Sequence, residues 1–284
     1  MPGTLFVVAT PIGNLEDLSF RALRTLKEVD LIAAEDTRRT SKLLAAYEIR
    51  KPLISLREHN EMRETPRLIG RLQAGQSIAL VTDAGTPGIA DPGARLVAAT
   101  RSSNLAVIPI PGPSAVASAL SVAGFASETF LFLGFPPSSG SGREAWLDRA
   151  SGEPGLVVFF EAPHRISRTL SDLADISGER QILMCRELTK VHESSILASL
   201  AEASRLSVPE KGEFTCVLGQ ASVRPVQADP DMVSVMDYFG RMTERAGFTD
   251  TQAIGFISSE FQIEPRAAAK IIKKGKILVK RQSE

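Results

Sequence analysis

Residues 77–93 read Ser77-Ile78-Ala79-Leu80-Val81-Thr82-Asp83-Ala84-Gly85-Thr86-Pro87-Gly88-Ile89-Ala90-Asp91-Pro92-Gly93. An apolar run of strand length breaks into three glycines, two prolines and two aspartates within twelve residues, 82–93. Neither a helix nor a strand interior tolerates that composition. Glycine lets the backbone approach a ligand closely, and proline holds a loop in one shape. A helical pattern at about Ala94–Arg101 follows. A buried strand, a stiff loop and a helix are the repeating parts of an open α/β sheet, whose ligands bind beyond the carboxyl ends of the strands.

The same alternation extends to both sides. On the amino-terminal side, Leu5–Ala9, Leu31–Ala34 and Leu53–Leu56 read as strands, joined by Ser77–Thr82 and then Leu105–Ile110. Helical patterns cover Ser19–Asp30 with Ser19 as cap, about Arg39–Tyr47, and Asn60–Ala74 stopped by Gly75. Continuous apolar strands between helices predict a mostly parallel sheet covered on both faces. A second pattern follows a helix at Ser114–Ala123. Strands at Thr129–Leu133, Leu156–Phe160, Gln181–Arg186, Ser194–Leu197 and Phe214–Leu218 have few helices among them, which predicts a mixed sheet. Pro136–Gly142 reads as a flexible loop, a lid or a surface excursion. Gln220–Asp231 reads as a linker, and helix candidates follow at Asp231–Ala246, Thr249–Phe261 and Glu264–Lys274, with Pro265 suited to a first turn. The expected organisation is α/β throughout the first two parts, 1–113 and 114–222, with a small helical unit over 230–284 that loosely resembles a helix-turn-helix module.

Whole-chain charge is balanced, with 33 basic and 33 acidic residues in 284. Its distribution is not. From Arg266 to Glu284 seven basic residues face one acid, a tail suited to a phosphate backbone or simply to solvent. The two cysteines, Cys185 and Cys216, sit inside apolar runs without metal-ligand spacing, so neither a zinc site nor a disulfide framework is expected. No window reaches the ~18 apolar residues of a membrane span, and Met1–Leu5 lacks a basic leader, so a cytoplasmic protein is expected.

Unusual residues concentrate where strands end. Ala9–Leu15 lacks the glycine-lysine-serine/threonine of a phosphate loop and the three-glycine dinucleotide fingerprint. Glu35-Asp36-Thr37-Arg38-Arg39-Thr40 and Arg57-Glu58-His59-Asn60-Glu61 mix acids with arginines, either as surface ion pairs or as a site that binds phosphate while a carboxylate orients a hydroxyl. Pro109–Ala115 supplies a second stiff loop, with Ser114 at a helix start. With the loop at 82–93 it would form facing walls of a cleft, two turns from neighbouring strands. Glu161, His164 and Arg165, then Arg186 to Glu193 with His192, and then Lys211 to Phe214 supply charged pieces from the second half. A lone histidine is more often structural than catalytic.

Together Ala9–Leu15 (ATPIGNL), Ala34–Arg38 (AEDTR), Glu58–Glu61 (EHNE), Asp83–Gly93 (DAGTPGIADPG), Pro111–Ala115 (PGPSA), Phe159–Arg165 (FFEAPHR), Arg186–Lys190 (RELTK) and Lys211–Phe214 (KGEF) resemble the tetrapyrrole methylases, or class III methyltransferases. Within them the pattern is similar to the branch that acts on ribosomal RNA. The resemblance implies two α/β domains with S-adenosylmethionine in the cleft between them, usually a homodimer. It implies cofactor contacts from Ile12, Asp83, Ala84, Gly85, Thr86, Ile89, Ser114, Ala115, Glu161, Leu188 and Phe214. The implied substrate is the ribose 2′-hydroxyl of a cytidine in 16S rRNA, free or in the assembled 30S subunit. Asp36, Glu61, Glu187, His59 and His192 are candidates for a general base. Arg38, Arg165, Arg186, Lys190, Lys211, Lys270, Lys273 and Lys274 are candidates for RNA binding. The cofactor carries no phosphate, in keeping with the missing phosphate loop. Methylation of a tetrapyrrole, or RNA binding without catalysis, are the rival readings.

Overall fold

The computed structural model describes residues 1–209, 211–221, 232–245, 247–261 and 265–282. They fall into two compact units, Met1–Ser222 and Val223–Glu284.

The first unit begins with β1 (Thr4–Val8), α1 (Phe20–Glu28), β2 (Leu31–Ala34), α2 (Thr37–Ala46), β3 (Leu53–Ser55), α3 (Glu61–Gln73), β4 (Ile78–Val81), α4 (Ala94–Ser102) and β5 (Ala106–Ile110). The five strands form a parallel sheet in the order β3-β2-β4-β1-β5. Every residue of β2 and β4 is buried, as central strands covered on both faces require. Leu5, Leu31, Ile78 and Leu80 pack against Leu68 and Leu72 of α3 and Leu96 of α4. Val8, Ile32, Ala79 and Val81 pack the other face against Ala22 and Leu26 of α1 and Leu44 of α2. The strand order corrects one expectation. β4 and β5 follow one another in sequence but are not neighbours, because β1 lies between them. The loop after β1 therefore stands between the two stiff loops.

Helix ends explain several of the charged residues. The Ser19 hydroxyl accepts from the Ala22 amide at 3.1 Å, and the Asp36 carboxylate from the Arg38 amide at 2.9 Å. α4 starts after Gly93, which has no side chain to cap it. Glu61 performs the task from a distance, its Oε1 accepting from the amides of Gly93, Arg95 and Leu96 at 3.2, 2.9 and 3.2 Å.

After α5 (Ala115–Val122) come β6 (Phe130–Phe132), α6 (Ser141–Gly152), β7 (Leu156–Glu161), α7 (Ile166–Ser177), β8 (Gln181–Arg186), β9 (Ser194–Ser199), the short α8 (Leu200–Ala203) and β10 (Phe214–Leu218). The second sheet has the order β6-β7-β10-β8-β9 and is mixed, with β6 parallel to β7 and the other pairs antiparallel. Phe159, Met184 and Cys216 bury one face under α6 and α7, while Val158, Cys185 and Val217 bury the other under Val116 and Ala119 of α5. Both cysteines are free and buried.

The second unit consists of α9 (Met232–Gly240), a π-helical turn at Arg241–Arg245, α10 (Asp250–Glu260) and α11 (Pro265–Gln282). Val235, Phe239, Ala253, Ile257, Ala268 and Ile272 form its core. Thr249 and Gln252 make a reciprocal cap at the start of α10. α11 runs well beyond the expected end at Lys274. Residues 222–231, which include most of the expected linker, and Glu264 lie outside the described residues. Among the described residues no helix is long and apolar enough to cross a membrane.

Candidate active site

A cavity of about 400 Å³ opens where the strand-end loops of the two sheets meet within the first unit. That volume falls in the range of small-molecule and cofactor sites. The loop after β1 forms its floor. Thr10 and Gly85 exchange backbone hydrogen bonds of 2.9 and 3.0 Å, stitching that loop to the one after β4. The Thr86 hydroxyl donates to the Pro113 carbonyl at 3.1 Å, joining the loop after β4 to the loop after β5. Gly85 has φ +81°, and a Cβ there would lie 3.3 Å from Cγ2 of Ile12. A leucine at Gly85 would meet both that contact and a strained φ worth about 1–3 kcal/mol. Gly85→Leu should accordingly weaken cofactor binding about ten- to hundredfold in calorimetry. Unchanged affinity would remove Gly85 from the site.

The second half closes over this floor through a close contact. The Asn14 amide donates to Thr189 Oγ1 at 3.0 Å, and Gly13 lies directly against Leu188, Thr189 and Lys190. Glu187 and Thr189, on either side of Leu188, have φ +54° and +65°, an uncommon conformation for non-glycine residues. Lys190 is held by Glu187 and Glu213 at 2.8 and 3.0 Å. Below, Glu161 is buried with both oxygens occupied. Its Oε1 accepts from the Ala162 amide at 2.8 Å and faces Arg165 at 3.4 Å, while Oε2 accepts from the Thr169 hydroxyl at 2.6 Å.

Every residue to which the family resemblance gave a cofactor contact lines this cavity: Ile12, Asp83, Ala84, Gly85, Thr86, Ile89, Ser114, Ala115, Glu161, Leu188 and Phe214. The structure adds Glu35, Arg39, Asp91, Phe135, Phe160 and Glu213, which the sequence reading had not given a role there. Phe135 immediately precedes the Pro136–Gly142 loop, so the proximity to a possible lid was its one sequence signal.

None of the base candidates lines the cavity. Asp36 caps α2 and is gripped by Arg38 at 2.7 Å, and that hydrogen bond holds its carboxyl well below the usual range. Glu61 is spent on the amides of α4. Glu187 is bonded to Lys190 and the Glu213 amide, and the Lys190 bond lowers its pKa. His59 and His192 are exposed. Among the cationic candidates, Lys190 lines the cavity, Arg165 bonds Glu161 and the Pro136 carbonyl, and Arg186 donates to the Lys211 carbonyl at 2.7 Å. Arg38 and Lys211 are exposed, as are Lys270, Lys273 and Lys274 on α11.

The cavity's own acids behave differently. Burial raises the Asp83 carboxyl, while the Asp36 amide at 3.0 Å and Arg39 at 3.4 Å oppose it. Burial pushes Asp91 up to about 6, against the Thr82 hydroxyl and with help from the charges of Glu35 and Asp83. Glu35 accepts from the Thr82 hydroxyl at 2.7 Å and the Asp83 amide at 3.2 Å.

The site suits a small cation with an aromatic part. Its lining holds five carboxylates (Glu35, Asp83, Asp91, Glu161 and Glu213) against Arg39 and Lys190, with Phe135, Phe160 and Phe214 as apolar walls. Residues 4–204 match the sequence profile described as Tetrapyrrole (Corrin/Porphyrin) Methylases, and the chain belongs to that family. Among its relatives, a protein named ribosomal RNA small subunit methyltransferase I from Pseudomonas aeruginosa is 49% identical over 201 residues, 70% of this chain and 71% of that one. The protein of the same name from Synechocystis sp. is 43% identical over 269 residues, 93% of this chain and 95% of that one. Solved structures of a diphthine synthase (TM-score 0.60, 14% identity, 76% of this chain and 90% of that one) and of the methyltransferase CobJ (0.58, 18%, 79% and 97%) share the fold.

Proposed function

We propose that the protein is an S-adenosylmethionine-dependent methyltransferase acting on the ribose 2′-hydroxyl of a cytidine in small-subunit rRNA. The observation that carries this reading is the acidic cavity walled by the Gly85 and Ser114 loops, in a chain close to proteins named as rRNA methyltransferases. S-adenosylmethionine, when bound, supplies an electrophilic methyl group on a sulfonium. The backbone of Ala84, Gly85 and Ala115 would hold its uncharged edges, the carboxylates its positive charge, and Phe214 with Ile12 its apolar parts. Catalysis then rests on placing the acceptor oxygen in line with the methyl carbon, and on a base for its proton.

RNA phosphates would meet the rim of the first sheet. Arg38 and Arg57 both lie on Asp36, at 2.7 and 3.6 Å, with 82% and 42% of their side chains exposed. Arg39 beside them, 65% exposed, reaches Asp83. Replacing Arg38 and Arg57 with alanine should lower the salt slope of RNA binding by about 1.5, the loss of two phosphate contacts, with cofactor affinity held. An unchanged slope would remove this rim from the RNA path. Lys270, Lys273 and Lys274 on α11 belong to the same reading. So do a cytoplasmic location and a homodimer, for which the exposed Phe20, Val122 and Phe130 offer apolar surface.

The test is incubation with methyl-labelled S-adenosylmethionine and either small ribosomal subunits or a precorrin-type tetrapyrrole. Label recovered as 2′-O-methylcytidine from 16S rRNA is the expected result. Label in the tetrapyrrole, or in neither substrate, would overturn it.

A further inference from the structure

The loop over 82–93 has to keep its shape without a helix or strand of its own. Its first half is held from several sides: the Asp83 amide bonds Glu35, Gly85 bonds Thr10, and the Thr86 hydroxyl bonds Pro113. Its second half bends through positive φ at Gly88, Ala90 and Gly93, +83°, +62° and +121°, and runs straight into α4. Such a helix start is ordinarily fixed by a serine, threonine, aspartate or asparagine just before it. Here that position is closed to any side chain. Beyond the strained φ, a Cβ at Gly93 would stand 2.6 Å from Cδ2 of Leu80, a buried residue of β4. The cap therefore comes from another part of the chain. Glu61, buried at the start of α3, sends its Oε1 to the amides of Gly93, Arg95 and Leu96. Its own place is fixed in turn. The Glu61 amide donates to the Arg57 carbonyl at 2.9 Å, and the Asn60 side chain bonds the Arg57 amide and the Ser55 carbonyl at 2.8 and 3.1 Å.

We infer that Glu61 is a positioning residue for the cofactor cavity: from outside the lining, through three amides, it fixes where the loop after β4 ends and so holds Ile89 and Ala90 in the cavity wall. This rests on the methyltransferase reading above. Without the Glu61 oxygen three amides lose their acceptor, two of them in buried hydrogen bonds. The first turn of α4 loosens, and the residues before it are no longer set before the cofactor arrives. Binding then has to order them, and freezing one or two backbone residues corresponds to about ten- to hundredfold in affinity. Reach matters here more than charge. A carboxamide oxygen at the same place still meets the three donors, although less strongly than a carboxylate. A carboxylate one methylene shorter stops short of them.

The test is calorimetry of S-adenosylmethionine binding at a temperature where circular dichroism shows each variant folded. A residue that only stabilises the fold leaves the affinity of the folded protein unchanged, and a positioning residue does not. Glu61→Ala is expected to weaken binding about ten- to hundredfold, and Glu61→Gln to stay within about fivefold of wild type. Glu61→Asp, which keeps the charge and loses the reach, should bind more weakly than Glu61→Gln. Those two conservative variants decide the matter even where Glu61→Ala does not fold. Glu64→Ala is the control. It removes a comparably buried carboxylate from the same helix, one bonded to Arg63 and Arg67 and not to the loop, and should leave the affinity as it is. In methyl transfer, Glu61→Ala should raise the KM for the cofactor by the same factor as its dissociation constant, with kcat at saturating cofactor within about threefold of wild type. Wild-type affinity in folded Glu61→Ala overturns the inference, as does a Glu61→Asp protein that binds more tightly than Glu61→Gln. Failure of the wild-type protein itself to bind the cofactor overturns the underlying reading, and is recognised separately because no binding heat appears before any substitution is made.

Discussion

Gly13→Val is expected to weaken S-adenosylmethionine binding by more than about a hundredfold, the equivalent of roughly 2.7 kcal/mol. A Cβ at Gly13 would stand 2.4 Å from Cγ of Lys190, 2.7 Å from Oγ1 of Thr189 and 2.8 Å from the Leu188 carbonyl oxygen. The lysine carbon can swing aside, but the carbonyl belongs to a backbone already held at positive φ on both sides of Leu188. The two loops must part. As they do, the Asn14 amide loses Thr189, and Ile12 and Leu188 move away from each other on opposite walls of the cavity. Both sheets have their own cores, so the damage should stay local and the far-ultraviolet circular dichroism should hold. Affinity within threefold of wild type would show that the contact at Gly13 does not shape the site. Gly13→Ala should act in the same direction and less strongly.

The largest effect on stability is expected at Arg180. Its guanidinium is buried, with 3% of the residue exposed, yet among the described residues no carboxylate forms a salt bridge with it, and Glu153 acts on it only through its charge. It donates instead to backbone carbonyls, to Ala150 at 2.9 Å, Gly155 at 2.7 Å and Gly219 at 2.5 Å. These belong to the end of α6, the approach to β7 and the exit of β10, so one side chain ties three segments to the start of β8. Burial draws its pKa down to about 10, still far enough above neutral for the charge to persist. Arg180→Met keeps much of the volume and leaves the carbonyls without donors. Removing one side of a buried charged network typically costs about 3–5 kcal/mol. The free energy of unfolding from urea titration should fall by about that amount, and a loss below about 1 kcal/mol would mean that water replaces the guanidinium.

Much of this fold can be read in the sequence because its signals are local. Apolar runs such as Ile78–Val81 and Leu31–Ala34 announce buried strands, and glycine and proline at Gly85, Pro87, Gly88 and Pro92 mark a loop that has to be stiff. The mixed second sheet follows from the scarcity of helices between its strands. Strand order is different. That β1 separates β4 from β5 depends on how the chain crosses over, which no local pattern carries. The reach of α11 past Lys274 was also missed, because a lysine-rich continuation looks alike as helix and as solvated tail.

The carboxylates were the least legible part of the site, for a physical reason. Glu61 looks like a base beside a histidine, yet it finds its partners at Gly93, Arg95 and Leu96, some thirty residues on, where a helix begins without a cap. Asp36 is spent on its own helix and on Arg38. Asp91 reads in the sequence as one more turn residue, and only the folded structure shows that it lines the cavity and that burial raises its carboxyl. What a carboxylate does depends on which donors the tertiary structure brings to it, and those donors are distant in sequence.

The most direct measurement is a crystal structure of the protein with S-adenosylmethionine bound. The cofactor should lie in the cavity between the Asp83–Ile89 loop and Ser114 on one side and Leu188 and Phe214 on the other. A cofactor bound anywhere else on the molecule would contradict the account.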